Sequence, residues 1–179
     1  EITSIDPLKP TKGSYITITG KGFGKSKGKV FIAGTAGEAK ECATAAVPNA
    51  NTCIELGQQF PLKCNETWTD TQVIAEIPQI EKVVPKKYFL VLKTAFGLSS
   101  SGNDFIEVID GNPLPSICFA EPASLFAPIL DKNAPLKIYG KNFKPGTGNP
   151  LVYFWTKGSQ TDTTDPSLNS WLSSQLLNT

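Results

Sequence analysis

The 179-residue chain contains no histidine, no arginine and no methionine. Without histidine it holds no Ser-His-Asp or Cys-His catalytic set and no histidine-bearing zinc site. Without arginine it lacks the bidentate fork that dominates phosphate and nucleic-acid recognition. All 17 basic residues are lysine, set against 16 acidic ones for a net charge of +1. Nucleic acid is therefore not an expected partner, and the lysines read as solubilising surface charge. No apolar run approaches the roughly 18 residues that a spanning helix requires, so no membrane span is expected in this chain. Cysteine is scarce, at four, and its spacing matches neither the close pairs of a zinc site nor C-x-x-C redox chemistry. No D-x-D-x-D-G calcium loop occurs,. No metal or cofactor is expected.

Carboxylates remain as acid–base candidates. Asp104 with Glu107 and Asp162 with Asp165 are close enough in sequence to raise a glycosidase pair,. Each falls in a loop or on a strand's solvent face, without the signature of a cleft. The chain reads as a non-enzyme.

What is present is turn chemistry and short strands. Fifteen glycines and fourteen prolines are scattered along the chain, a pattern that frequent turns produce. Tyr15–Thr19 alternates, with Ile16 and Ile18 on one face and Thr17 and Thr19 on the other,. Lys29–Ala33, Gln72–Ile77, Tyr88–Thr94 and Phe105–Ile109 follow as further strands. Val73, Ala75 and Ile77 share one face, and so do Tyr88, Leu90 and Leu92,. No helical period stands out in this part of the chain. The expectation is an all-β sandwich or barrel.

The chain also repeats itself. I-T-S-I-D-P at Ile2–Pro7 returns as I-C-F-A-E-P at Ile117–Pro122, and I-T-I-T-G-K-G-F at Ile16–Phe23 returns as L-K-I-Y-G-K-N-F at Leu136–Phe143. V-F-I at Val30 returns as V-Y-F at Val152, and W-T-D-T-Q-V at Trp68 as W-L-S-S-Q-L at Trp171. The sequence therefore divides into a first copy over 1–110, a linker over 111–115 and a second copy over 116–179 that lacks its last two strands. Two completions of that copy stay open: continuation of the chain, or strands lent by a neighbouring subunit.

Two clusters take a structural reading. G-K-G-F-G at Gly20–Gly24 contains G-x-G but leads into a strand rather than a helix, so it predicts a bend carrying a core phenylalanine. Asn142 replaces the second glycine in the later copy, and both residue types tolerate positive φ. Trp68, Asp70 and Thr71 read as a packed indole and side chains that satisfy nearby backbone groups.

Taken in order, I-x-S-I-x-P, K-G-S-Y-I-T-I-T-G-K-G-F-G, G-K-V-F-I, W-T-D-T-Q-V-I-A-E-I-P, Y-F-L-V-L-K-T-A-F-G-L-S-S and N-D-F resemble the IPT/TIG domain, over most of 1–110 and in shortened form over 115–179. The resemblance implies an immunoglobulin-like β-sandwich. It also implies a tandem-repeat module of extracellular or cell-surface proteins, with a spacer, adhesion or filament role. Its partners would be other protein subunits or neighbouring immunoglobulin-like domains of the same chain. A further group of such domains is appended to starch-acting enzymes, and the alternative reading is a carbohydrate-binding accessory module of a secreted enzyme with surface glycans as its partner. Tyr15, Phe31 and Tyr153, which alternate opposite core positions, are its candidate ligand-facing aromatics,. The departure from the family is an insertion at 34–67, where Cys42, Cys53 and Cys64 lie.

An even number of cysteines in a strand-rich chain fits disulfides and an oxidising, extracellular compartment. Four cysteines allow three pairings. Three lie in the first copy, so one bond must cross to Cys118 if all four pair. The geometry of an immunoglobulin-like sandwich favours Cys42 with Cys118 and Cys53 with Cys64. Asn65-Glu66-Thr67 is an N-glycosylation sequon, which makes Asn65 a candidate acceptor.

Overall fold

A computed structural model of the chain describes residues 1–58, 60, 61, 64, 66–100, 102, 104–121 and 137–143, and the backbone of 151–154 and 172–175. The strands are β1 (Ile2–Asp6), β2 (Tyr15–Gly20), β3 (Lys29–Ala33), β4 (Ile54–Glu55), β5 (Gln72–Glu76), β6 (Lys86–Lys93) and β7 (Phe105–Val108), with helix α1 (Ala36–Thr44) between β3 and β4. Beyond them lie β8 (Ser116–Glu121), β9 (Lys137–Lys141), β10 (Leu151–Phe154) and β11 (Leu172–Gln175).

Two antiparallel sheets form the sandwich. One has the order β1-β2-β5 and the other β4-β3-β6-β7. This split of first, second and fifth strands from third, fourth, sixth and seventh follows immunoglobulin-type connectivity. After β1 the chain changes sheets. Glu107 N donates to Leu8 O at 2.8 Å and Ile109 N to Pro10 O at 3.0 Å, and Thr11 bridges Ile109 in parallel.

The alternation read from sequence places the core. Ile16, Ile18, Val73, Ala75 and Ile77 from one sheet meet Val30, Ile32, Leu90, Leu92 and Ile106 from the other. Burying such side chains contributes roughly 1.5–3 kcal/mol each. Phe23 fills this core from the bend predicted at Gly20–Gly24. Gly22 there has φ 74°, and a Cβ at Gly20 would overlap the Phe23 ring and Glu1 O. Trp68 closes the same end, its Nε1 donating to Gly24 O at 3.1 Å, while Asp70 Oδ1 accepts from Gly24 N at 2.9 Å.

The helix corrects the reading of a helix-free first copy. Thr35 caps it through a reciprocal capping box with Glu38, the T-x-x-E signature. Its inward side is made of small residues, Ala39 and Cys42, so its apolar period is faint. They cover Phe31, Ala33 and Val91 on the outer face of the second sheet. Both faces of β3 and β6 are thereby buried, which explains the unbroken run Leu90–Leu92,.

The opening hairpins of the two sequence repeats share their local geometry. In β1–β2, Ile2 opposes Gly20 and Ser4 opposes Thr19, with a bulge between. In β8–β9, Ile117 opposes Gly140 and Phe119 opposes Tyr139, with a bulge at the same place. Asn142 has φ 61°, matching Gly22. The likeness does not extend to the later strands, since β10 and β11 pair with each other whereas β3 and β5 lie in separate sheets. The chain forms two compact units, Glu1–Asn142 and Phe143–Thr179. The first unit thus includes the linker and the opening hairpin of the second copy.

Phe23→Ala is expected to lower the free energy of unfolding by about 3–5 kcal/mol, read by guanidinium titration. A loss under about 1 kcal/mol would mean that the bend does not anchor the core.

Candidate functional site

Hydrogen bonds, an ion pair and a disulfide gather where the linker and β8–β9 meet the end of the first copy at β2 and β5. Thr11 and Ser14 flank the turn into β2 and are almost wholly buried. Leu114 N donates to Ser14 Oγ at 2.8 Å. Thr11 and Ser14 hydroxyls lie 2.8 Å apart, and Thr11 Oγ1 donates to Asn112 O at 2.9 Å. Since Thr11 gives its proton to Asn112, it accepts from Ser14. The run from Leu114 through both hydroxyls to Asn112 holds the linker against the first copy.

The G-K-N turn after β9 docks beside it. Asn142 Nδ2 donates to Gly13 O at 2.8 Å and to Leu114 O at 3.1 Å. Lys141 Nζ pairs with Glu76 Oε2 at 2.7 Å and lies 5.6 Å from the centre of the Tyr15 ring, whose other neighbour is Phe60 at 4.9 Å. Burial, with the charge of Glu76 second, pushes the Tyr15 hydroxyl up to about 12 from 10.0. Its oxygen is buried and has no hydrogen-bond partner among the described atoms.

The joint is closed covalently by Cys64–Cys118, Cα to Cα 5.5 Å, and Cys42 pairs with Cys53 at 5.6 Å. All four cysteines are bonded and one bond does reach Cys118, but the partners differ from those expected. Helix α1 folds back over the second sheet and carries Cys42 to Cys53 at the entrance to β4. Cys64 is left to meet Cys118. The bulge in β8 helps to aim the latter, because Cys118 occupies the place that Thr3 holds in β1. Thr3 Oγ1 donates to Thr19 O at 3.1 Å, and Cys118 Sγ lies 3.3 Å from the equivalent Tyr139 O.

The aromatic candidates need correction. Tyr15 is 4% exposed and Phe31 is 3% exposed, so neither presents an open ring face to solvent; the joint covers the first and α1 the second, while Phe31 still contributes to the lining of the groove beside β4. The side chain of Tyr153 and all of Asn65 lie outside the described residues. Asp104 and Glu107 sit three apart across β7 and so face opposite sides. Burial raises the Asp104 carboxyl above its usual value, while Glu107 pairs with Lys9 at 2.9 Å. Asp162 and Asp165 lie outside the described residues. No group of three metal-ligating side chains occurs among the described residues.

The sequence reading missed two exposed features. Phe96 and Leu98 stand 81% and 69% exposed on the β6–β7 turn, which is held by Leu98 N donating to Thr94 Oγ1 at 3.1 Å. A groove of about 680 Å³ runs between residues 47–55 and 79–82, with Ile54 and Ile80 in its lining and Lys29 and Glu55 paired at its side.

The fold and joint define a disulfide-braced β-sandwich module. No protein-family model matches the chain. It is similar to the cyclomaltodextrin glucanotransferase of Thermoanaerobacterium thermosulfurigenes, 29% identical over 113 residues, covering 63% of this chain and 12% of the enzyme. The cyclomaltodextrin glucanotransferase of Bacillus sp. (strain 17-1) is 29% identical over 111 residues, covering 62% of this chain and again 12% of the enzyme. The chain thus spans about an eighth of these relatives. A solved structure, gamma-CGTase from alkalophilic Bacillus clarkii, aligns over 60% of this chain and 12% of its own, with 18% identity and a TM-score of 0.41.

Non-reducing peptide mapping is expected to recover Cys42 joined to Cys53 and Cys64 joined to Cys118; a Cys42–Cys118 peptide would contradict the joint. Tyr15→Phe removes an unpartnered buried hydroxyl and is expected to leave stability unchanged or raise it by up to about 1 kcal/mol. The native Tyr15 stays protonated to higher pH when folded than when unfolded. Its contribution is therefore complete below pH 10 and is lost as pH rises towards about 12,. Across that window, chemical denaturation should show the native chain losing more stability than Tyr15→Phe, and parallel losses would contradict the assignment.

Proposed function

We propose that the chain is a non-catalytic structural module of an extracellular or cell-surface protein, in which an IPT/TIG-like sandwich is locked to the start of a second copy. The observation that carries this reading is the joint. Three independent devices converge on it: the Thr11–Ser14 hydroxyl run, the Lys141–Glu76 pair and the Cys64–Cys118 bond. A module whose work is spacing or adhesion needs the connection between copies to be held. The paired cysteines support an oxidising compartment. The recurrence of the bulged hairpin supports a tandem origin for both copies.

The second reading, a carbohydrate-binding accessory module, is favoured by the similarity to enzymes named for cyclomaltodextrin. Calorimetric titration with cyclomaltodextrin and a glycan array separates the two. The structural reading expects no saturable binding to either and no turnover of cyclomaltodextrin. Binding tighter than about 1 mM that is lost on Ile80→Asp, in the groove beside β4, would transfer the function to the second reading.

A further inference from the structure

We propose that the Cys64–Cys118 bond is a tension bypass, and that an external dithiol opens it before it opens Cys42–Cys53. The use of such a bypass rests on the structural reading above; its existence is a property of the chain's connectivity. Tension applied to the two ends travels from Glu1 to Cys64, crosses the bond to Cys118 and leaves through β8. Residues 65–117 hang from the bond as a closed loop. That loop contains β5, β6 and β7 and supplies more than half of the main core cluster, from Trp68 to Val108. While the bond is closed, pulling can peel away β1, β2, β3 and β4 but cannot draw out β5, β6 or β7. Once it opens, the joint keeps its hydrogen bonds and the Lys141–Glu76 pair, and the first copy becomes extensible apart from the loop closed by Cys42–Cys53.

The two bonds differ in access. Cys42 and Cys53 are 0% and 4% exposed, in one cluster with Phe31, Ala33 and Val91. Cys64 is 7% exposed, but its partner Cys118 is half-buried on the bulge of β8, so this bond offers one sulfur that the other does not. A thiolate must reach a sulfur to exchange with it, so the accessible bond reacts first. In the first step one thiolate of the dithiol attacks Cys118 Sγ, forms a mixed disulfide and expels the Cys64 thiolate, which takes up a proton. The second dithiol sulfur then attacks the first, closing a cyclic disulfide and releasing Cys118 as a thiolate that is protonated in turn. Two electrons and two protons pass from the dithiol to the protein.

The bypass is tested by single-molecule force spectroscopy on the full native chain, held by its two ends, with alkylation mapping of the same sample in bulk. Without dithiol, unfolding should not release either closed loop. At limiting dithiol, the 54-residue separation of Cys64 and Cys118 should add roughly 180 Å of length at about 3.4 Å per residue. The 11-residue Cys42–Cys53 loop should add its roughly 37 Å only at higher dithiol. Cys64 and Cys118 should be alkylated before Cys42 and Cys53. Equal lengths with and without dithiol, or labelling of Cys42 and Cys53 first, would overturn the proposal. Cys64→Ser with Cys118→Ser should give the longer extension without dithiol; should that variant not fold, reducing the native chain after tethering gives the same readout. A chain that shows the bypass yet binds cyclomaltodextrin retains this inference and loses the structural reading, so the two fail separately.

Discussion

A covalent bond between Cys64 and Cys118 ties β8 to the segment that precedes β5. A two-sheet sandwich needs only its facing apolar layers to fold, and the first copy has those in Ile16, Ile18, Val73, Leu90 and Leu92. Its core gives no reason for a following hairpin to stay against it. The bond removes that freedom. With β8 fixed beside β2 and β5, weak contacts are formed within an already restrained pair of surfaces and lose less entropy in forming. The Lys141–Glu76 pair illustrates the point. Partly exposed ion pairs contribute at most about 1 kcal/mol on their own, yet this one sits beside a buried ring, two hydrogen bonds donated by the Asn142 side-chain amide and a disulfide, all fixing the same geometry.

The insertion does two separate jobs. Its first half, α1 with the Cys42–Cys53 bond, covers the outer face of β3 and β6, so those two strands are buried on both faces. Its second half delivers Cys64 to the joint. The bulge in the opening hairpin is common to both copies, and a single exchange at that bulge, threonine in the first and cysteine in the second, separates a hairpin closed on itself from one bonded to its neighbour.

Much of the sandwich was legible because alternation and turn residues report directly on local geometry. Ile16 and Ile18, Val73 through Ile77, and the Phe23 bend all land where their pattern places them, and Gly22 and Asn142 share the positive φ that their identities predict. The helix was not legible from periodicity, because Ala39 and Cys42 are too small to give a strong apolar stripe. Its capping residues, Thr35 and Glu38, were the available signal. The disulfide partners were not legible either, since equal spacing of Cys42, Cys53 and Cys64 carries no pairing information and the path of α1 decides it. Tyr15 and Phe31 misled for a related reason: each points away from the main core by alternation, and only tertiary cover from the joint and the helix removes it from solvent. Phe96 and Leu98 went unnoticed because turn composition gives no measure of exposure.

The central claim is that the first copy and the opening hairpin of the second form one covalently closed unit. A nuclear magnetic resonance spectrum of the isotopically labelled native chain tests it most directly. The account predicts oxidised-type Cβ shifts at all four cysteines, together with through-space cross-peaks between the Tyr15 ring and the Lys141 side chain. Thiol-type shifts at Cys64 and Cys118, with no contact between Tyr15 and Lys141, would contradict it.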